Sequence, residues 1–346
     1  MASSVPQSVL AHYHDLSEQP QRPHGSGLIN HTFFVEGRAE PAIVQRLHRV
    51  FAGIVNEDIE AVTGHLTKKG LVTPRVLRTD SQKLWVDDEE GRAWRALSFV
   101  QGESFDTVSS PALAREAGKL VASFHIAVAD LDYNYKHVRQ GVHDTHKHLA
   151  TLKRAIEENP THRLYAEVAA LAEKVFRYAE GLPDLSTFPD RNAHGDLKIS
   201  NLLFREGRGV CLVDLDTLSR MKWPHEMGDA LRSWCNPAGE DAANVRVDVE
   251  IFRAALSGYG EVVRGKPFLT SSEVSALVSG LATICLELSS RFLADALYER
   301  YFGYDERRFP ARGEHNLLRG RGQFALLESV LSSRGALEGV VKDTLL

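Results

Sequence analysis

The residues best suited to chemistry lie between His194 and Leu218, where carboxylate and amide side chains cluster. Asp196 and Asn201 are five residues apart, and Asp214 follows Asn201 by thirteen. Transfer of a phosphoryl group needs a carboxylate that orients the attacking hydroxyl, together with hard oxygen ligands for Mg²⁺. The types and spacing of these side chains therefore predict phosphoryl-transfer chemistry.

Two short apolar runs, 202–204 and 211–213, flank a polar turn in this segment. They predict a β-hairpin whose open end brings Asn201 and Asp214 together. A single Asp or Asn is equally suited to capping a helix or forming a turn. The prediction therefore depends on the complete set and not on any one member.

The sequence changes along its length from strand-like to helix-like patterns. At 346 residues it exceeds the size at which single cores stop growing, so two packed lobes are expected. Strand-like runs bounded by turn signals fill residues 23–102, with one helix near 56–69, and helical periodicity follows. We predict an α+β fold with a small antiparallel β lobe, residues 1–102, that binds nucleotide. A large helical lobe, residues 103–346, would carry catalysis and substrate binding.

Composition excludes several classes of protein. A net charge of −5 argues against a nucleic-acid binder, which needs a basic face. Three widely separated cysteines argue against a zinc or disulfide framework. The N-terminus lacks the pattern of a signal peptide, and the apolar stretch 274–288 contains Glu287, which favours a buried helix over a membrane span. We predict a cytoplasmic monomer or homodimer without nucleic-acid or membrane partners.

The pattern H-G-D-x-x-x-x-N, followed by an apolar strand and D-x-D, resembles the aminoglycoside phosphotransferase and choline kinase superfamily. This loop is related to the H-R-D-x-x-x-x-N and D-F-G loops of protein kinases. The resemblance implies a two-lobed protein-kinase-like fold that uses ATP and Mg²⁺. It implies Asp196 as catalytic base, Asn201 and Asp214 as metal ligands, Asp216 as support for a second metal or for the loop, and His194 as an anchor.

The nucleotide lobe offers weaker signals. Gly25 and Gly27 precede a strand, where glycines allow backbone N–H groups to approach phosphates, although a hairpin turn uses them equally well. The next strand carries Arg46 where a kinase places its phosphate-pairing lysine, and Glu57 or Glu60 would pair with it. Arg46 is alternatively only an exposed strand residue. The missing lysine also leaves a nucleotide-binding pseudokinase open.

A narrower likeness extends from about residue 25 to residue 330. The phrases GSGLINHTFFV, AIVQRLHRVF, MGDALRS, RFLADAL and NLLRGRGQFALLESV resemble the N-acetylhexosamine 1-kinase-like group. The resemblance implies transfer to the anomeric hydroxyl of an N-acetylhexosamine, with Arg291 and Tyr301 at the sugar. His31 and Asp229 are further candidates for this pocket.

Each substrate candidate has an alternative reading. Asp229 is also suited to capping a helix or bracing the catalytic loop, and Arg291 and Asp295 are spaced to pair on a helix surface. His31 is alternatively a half-exposed strand residue. Another small alcohol, such as homoserine, choline or an aminoglycoside, remains open as substrate. A last group is predicted to be a solvated loop and not a metal cluster: His143, His146 and His148.

Overall fold

The computed structural model of the protein describes residues 4–25, 30–138 and 141–346. A small lobe of short strands and two helices comes first along the chain. Its elements are α1 (Gln7–Leu10), β1 (Gln21–Pro23), β2 (His31–Val35), β3 (Ala42–Arg46), α2 (Val55–Lys68), β4 (Val76–Leu77), β5 (Val86–Asp87) and β6 (Ala93–Ser98).

An antiparallel sheet of order β1-β2-β3-β6-β4, with β5 also paired to β6, forms the framework of the small lobe. One face of the sheet carries Val44 and Trp94 and packs against Leu10 of α1. The other face carries Ile43 and Leu97 and joins the main core with α2. Because successive side chains alternate between faces, the register decides which residues reach the large lobe.

The large lobe is mostly helical and follows the sheet. Its elements are α3 (Pro111–Val128), α4 (Thr145–Glu158), α5 (Tyr165–Ala179), β7 (Asp190–Ala193), β8 (Leu202–Arg205), β9 (Arg208–Leu212), β10 (Ser219–Lys222), α6 (Trp223–Trp234), α7 (Val249–Val263), α8 (Ser271–Ser275), α9 (Leu277–Tyr298), α10 (Arg312–Ser332) and α11 (Arg334–Leu345). The predicted α+β, two-lobed kinase-like fold is confirmed.

The most apolar segment of the sequence forms the centre of the large lobe. Among the described residues, α9 is the one helix long and apolar enough to cross a membrane, and 89% of its apolar window is buried inside the protein. That burial is typical of a core helix. A break at Ala276 separates α9 from α8.

The predicted hairpin is formed by β8 and β9. The backbone N–H of Val213 donates to the carbonyl of Asn201 at 2.9 Å, so Asn201 and Asp214 lie at the same end of the hairpin. On its other side, Phe204 exchanges two backbone hydrogen bonds of 2.7 and 2.8 Å with Glu103. The chain leaving the small lobe is therefore tied directly to the strands that carry the candidate site.

Two glycines allow α3 and α7 to pack with their backbones in contact. A Cβ at Gly118 would lie 2.0 Å from the carbonyl oxygen of Ala255, and one at Gly258 would lie 2.0 Å from that of Arg115. Real Cβ atoms do not approach a backbone oxygen this closely. These helices must therefore separate if either glycine gains a side chain.

We expect Gly118→Ala to reduce the free energy of unfolding by about 1–3 kcal/mol, the usual cost of overpacking a core. Gly339→Ala in α11 is the matched control, because no atom lies within 4 Å of its added Cβ. That control should be neutral or slightly stabilising, since alanine favours helix over glycine. Urea unfolding midpoints compare the two, and equal midpoints would contradict close backbone packing.

Candidate active site

Four polar side chains meet at the end of the β8–β9 hairpin. The Lys198 Nζ lies 2.8 Å from Asp196 Oδ2 and 3.9 Å from Asp214 Oδ2. The Asn201 Nδ2 donates to the same Asp196 carboxylate oxygen at 3.0 Å and to the Asp196 carbonyl at 2.9 Å. The structure thus brings together Asp196, Asn201 and Asp214, and adds Lys198, which the sequence reasoning missed.

The backbone around Asp196 is held by buried groups. Gly195 has a φ of +83°, and a Cβ there would lie 2.4 Å from the Thr217 carbonyl oxygen. The two carboxylate oxygens of Glu226 accept the N–H groups of His194 and Gly195 at 2.7 and 3.1 Å. Only glycine fits this turn without strain. Glu226 had no motif to reveal it, because its role arises from packing.

His194 is a fully buried anchor of the same loop. Burial lowers its pKa, which favours the neutral ring. Its Nε2 lies 3.0 Å from the Val213 carbonyl, and its Nδ1 lies 3.3 Å from the Asp196 N–H. A ring that donates through Nε2 and accepts through Nδ1 links the catalytic loop to the strand before Asp214.

The charges of the cluster depend on one another. Burial alone would raise the pKa of Asp196, but the Lys198 ammonium and the Asn201 amide outweigh it and hold that pKa below its usual value. For Asp214, burial and the nearby Asp216 carboxylate raise the pKa to about 6. The Asp196 and Asp214 side chains remain 26% and 37% exposed, so both face an open cleft. Nearby positive charge therefore stabilises the ionised form of Asp196, whereas the positive charge near Asp214 does not offset its burial and the neighbouring carboxylates.

Both carboxylate oxygens of Asp216 face donors from the small lobe. Oδ1 forms a short ion pair with Arg95 Nη1, and Oδ2 accepts the Asn30 amide at 2.7 Å. The Asp216 side chain is 0% exposed. Of its two predicted uses, the observed contacts fit support of the loop and not ligation of a second metal.

Arg46 and Glu60 are not brought together, and their predicted ion pair is wrong. The Arg46 guanidinium pairs with Asp88 at 3.1 Å and Glu90 at 2.6 Å, whereas Glu60 pairs with Arg78. Arg46 lies opposite Trp94 on the sheet face that packs against α1. The pairing of Glu57 with Arg46 is equally wrong, because Glu57 pairs with Lys136.

His31 shares the face of Arg46, its direct partner across β2 and β3. Its ring is partly buried, and burial together with the charge of Arg46 lowers its pKa. Gly25 has a φ of +75°, a conformation that favours glycine, and no atom lies within 4 Å of its added Cβ. Gly27, the second predicted glycine, lies outside the described residues.

Half-buried apolar side chains lie on the small-lobe sheet and on the hairpin, near the chain that joins them. Phe34 and Ile43 are direct partners on the sheet face opposite Arg46, and the Phe34 ring contacts Phe99 at 5.1 Å. Leu203 of β8 lies next to Gly102, whose added Cβ would be 2.9 Å from the Leu203 Cβ. A flat aromatic base fits between such half-buried apolar side chains. Sequence reasoning predicted strands here but did not identify these apolar side chains as candidates for binding a base.

On α6, Asp229 lies close to the catalytic cluster. Its carboxylate contributes to raising the pKa of Lys198 and pairs with Arg232 at 3.0 Å. Arg232 also contacts Glu240 at 3.3 Å. Because Asp229 is in the middle of α6, the reading of this residue as a helix cap is wrong. Sequence reasoning did not identify the ion pairs that join Arg232 to Asp229 and Glu240.

Arg291 and Tyr301 lie further along the large lobe. The Arg291 guanidinium lies 5.5 Å from the Phe302 ring, and the Tyr301 ring is 4.8 Å from the same ring. Asp295 accepts the backbone N–H groups of residues 300–302 at 2.8–3.0 Å, so it fixes this loop. The role of Asp295 is therefore to hold this loop, and not to pair with Arg291 on the helix surface. Tyr301 is 56% exposed.

Two of the three clustered histidines correct another prediction, whereas His146 is exposed. His143 is part-buried and lies 3.0 Å from Glu287, and His148 lies 2.8 Å from the Val142 carbonyl, so neither belongs to a solvated loop. His143, His146 and His225 line a cavity of about 730 Å³ between the start of α4 and the segment 216–222. In the described part of the chain, no group of three His, Cys, Asp or Glu residues is arranged to hold a metal.

A two-lobed fold that places an Asp–Asn–Asp cluster beside the chain joining the lobes is typical of kinase-like phosphotransferases. The chain matches the family model described as "Phosphotransferase enzyme family", APH, over residues 20–262, and it belongs to that family.

Solved structures share this fold at low sequence identity. An aminoglycoside phosphotransferase from Alicyclobacillus acidocaldarius has 17% identity and a TM-score of 0.62, with 98% of each chain covered. A microcompartment-associated aminopropanol kinase has 17% identity and a TM-score of 0.65, with 95% of this chain and 97% of that chain covered. Choline kinase from Cryptosporidium parvum has 13% identity and a TM-score of 0.60, with 96% of each chain covered. These likenesses concern the fold.

Proposed function

We propose that this phosphotransferase is an ATP-dependent kinase that phosphorylates the anomeric hydroxyl of an N-acetylhexosamine. The observation that carries the kinase proposal is the Asp196 carboxylate, which accepts hydrogen bonds from Asn201 and Lys198 beside Asp214 in an open cleft. Residues 1–102 would serve as the nucleotide lobe and residues 103–346 as the catalytic lobe. The sugar acceptor rests on the sequence likeness described above.

Asp196 is proposed as the base that orients the acceptor hydroxyl and takes its proton. Its lowered pKa keeps it ionised, as a proton acceptor requires. Lys198 holds the carboxylate from one side and carries a positive charge into the cleft, where it can meet a phosphate oxygen.

Asn201 and Asp214 fit a magnesium ion. The Asn201 amide nitrogen is engaged by Asp196, which leaves its carbonyl oxygen as a ligand. The raised pKa of Asp214 marks a carboxylate short of positive charge, which a bound cation supplies. When bound, Mg²⁺ neutralises phosphate charge that develops during transfer. We propose Asp216 as support for Asp214 and not as a ligand.

For ATP itself, we propose that the base binds between Ile43 and Leu203, and that Gly25 and Gly27 approach the phosphates. The side chains of Ile43 and Leu203 are half-buried, as the walls of a ligand site are. Arg46 and Glu60 were predicted to assist this binding. Their placement on other ion pairs gives that role little support.

The acceptor is proposed to lie against Asp229, with Arg291 and Tyr301 as further predicted contacts. The placement of His31 beside Arg46, on the sheet face that packs against α1, gives its predicted role at the acceptor little support. A sugar needs paired donors and acceptors beside an aromatic surface. The Phe292 and Phe302 rings already have guanidinium groups beside them, from Arg319 at 5.7 Å and Arg291 at 5.5 Å. A cationic acceptor would meet like charge there, which favours a neutral sugar over choline.

One panel tests the proposal: ATP and Mg²⁺ with N-acetylglucosamine, N-acetylgalactosamine, homoserine, choline and kanamycin, followed by ADP release. Phosphorus NMR of the product would locate the phosphate. We expect transfer to carbon 1 of an N-acetylhexosamine. Transfer only to another acceptor would keep the kinase and reject the sugar, whereas nucleotide binding without any transfer would support a pseudokinase.

Lys198 and Arg46 can be compared as rival phosphate cations. We expect Lys198→Ala to lower kcat/KM for ATP by about 10- to 100-fold, since hydrogen bonds to charged groups contribute about 1.5–3 kcal/mol. Arg46→Ala should have the smaller effect, because its guanidinium lies on the opposite face of the sheet from Gln45 and Arg95. Steady-state kinetics at varied ATP measures both. The reverse order would return the phosphate role to Arg46.

A further inference from the structure

Strand β3 of the small lobe lacks the lysine that a kinase carries there, and different side chains fill this part of the sheet face. On the sheet face that joins the main core, β3 presents Gln45, and the start of α2 presents Asn56. Kinases place a lysine on this strand and a glutamate on this helix, so that the two pair. Here the side chains that β3 and α2 present to Arg95 on this face are neutral amides. Neither can supply the buried positive charge.

Arg95 of β6 supplies that charge from the neighbouring strand. It lies directly opposite Gln45, and its Nε and Nη2 donate to the Gln45 side-chain oxygen at 3.0 and 2.7 Å. Its Nη1 reaches the Asn56 oxygen at 3.3 Å and the Asp216 carboxylate. The guanidinium is 1% exposed, so it meets protein acceptors and not solvent.

The partner of Arg95 belongs to the large lobe. Asp216 stands two residues after Asp214, and the residue between them, Leu215, is 3% exposed. The second carboxylate oxygen of Asp216 accepts from Asn30, whose own oxygen accepts the backbone N–H of His48 at 2.8 Å. Asp216 is therefore held by two separate segments of the small lobe.

Asp214 has a backbone conformation that needs such support. Its φ of +62° lies in the left-handed region, which is uncommon for residues other than glycine. Conformations of this kind persist where the surroundings fix them, often at functional sites. A buried ion pair contributes little net stability but is well suited to fixing one arrangement.

We propose that Arg95 is a positioning residue that supplies the buried positive charge in place of the missing lysine and, unlike that lysine, joins the two lobes. Through Asp216 it fixes Asp214 in the orientation needed to hold Mg²⁺. This inference rests on the proposed function, in which Asp214 is a metal ligand. The planar fork of arginine serves three acceptors at once, which a lysine ammonium at the same place would not match.

The test variant is Arg95→Met combined with Asp216→Asn, which removes both charges and leaves neither unpaired. The control is Arg191→Met with Glu273→Gln, an arginine–carboxylate pair of the large lobe with contacts of 2.6 and 2.7 Å and a fully buried carboxylate. Each protein is titrated with Mg²⁺ while binding of a fluorescent ATP analogue and ADP release are followed. Thermal unfolding reports the folded fraction.

We expect the Arg95/Asp216 variant to need about 10- to 100-fold more Mg²⁺ for half-maximal nucleotide binding and turnover, as when groups that orient metal ligands are removed. The KM for the acceptor should change less than about twofold, since the metal-orienting effect leaves acceptor contacts in place. The control pair should lower thermal stability without shifting the Mg²⁺ dependence. Unchanged Mg²⁺ dependence in the Arg95/Asp216 variant, with lower stability alone, would make this pair merely structural and overturn the proposal.

Arg95→Lys covers the case in which the double variant does not fold. It keeps the buried charge and loses the fork, so it should shift the Mg²⁺ dependence in the same direction, and a wild-type value there would overturn the proposal. Because nucleotide binding is followed without acceptor, failure of the wild-type protein to phosphorylate any sugar would count against the proposed function alone.

Discussion

Asp196→Asn should reduce turnover by about 10²–10⁴-fold, the usual contribution of a positioned general base. Asparagine has nearly the same shape as aspartate but cannot accept the hydroxyl proton. Nucleotide should still bind, because the apolar side chains proposed to hold the base, the Asn201 carbonyl oxygen and Asp214 all remain. The loss should therefore appear in kcat, with little change in the dissociation constant for ATP.

Single-turnover measurements at saturating ATP and Mg²⁺ would show this loss in the chemical step. Asp184→Asn is a suitable control, because Asp184 is exposed and its carboxylate accepts the backbone N–H and hydroxyl of Ser186, both at 2.8 Å. It should turn over like the parent protein. Near-normal turnover in Asp196→Asn would reject Asp196 as the base and redirect attention to Asp229.

The meeting of Asp196, Asn201 and Asp214 was predictable because these residues are close in sequence. Asp196 and Asn201 belong to one loop, and a hairpin brings Asp214 beside them, so spacing alone carries the inference. The order of strand-like and helix-like runs similarly predicted the two-lobed fold. These features depend on neighbours along the chain and not on the way distant elements pack.

The side-chain contacts of the small lobe were harder to predict, because a shift of one residue along a strand moves a side chain to the other face of the sheet. Gln45 and Arg46 are adjacent, yet Gln45 faces Arg95 and the large lobe whereas Arg46 faces Asp88 and α1. Arg46 was the only cation in the strand, so charge drew attention to a residue on the sheet face that packs against α1. Arg95 itself lies 121 residues from Asp216, a separation that no local pattern spans.

Asp214→Asn is the second change for which we expect a large loss, at least about 10²-fold in turnover at ordinary Mg²⁺ concentrations. Carboxylates are strong ligands for Mg²⁺, and a neutral amide lacks the charge that holds the ion. The loss should be partly recovered at high Mg²⁺, because the Asn201 oxygen and the ATP phosphates remain as ligands. Recovery by metal separates this variant from Asp196→Asn, which extra Mg²⁺ should not restore.

The same residue should set the acid limit of metal binding. Burial and the neighbouring Asp216 raise the pKa of Asp214 to about 6, so its carboxylate is ionised above that pH and protonated below it. Mg²⁺ binds the ionised form, and the half-saturating Mg²⁺ concentration should stay level above pH 6 and rise by up to about tenfold per pH unit below it. Asparagine does not titrate in this range, so the half-saturating Mg²⁺ concentration of Asp214→Asn should not rise below pH 6 in this way. Mg²⁺ titrations of nucleotide binding between pH 5 and 8 compare the two proteins, and an identical rise below pH 6 in both would assign the titration to another group.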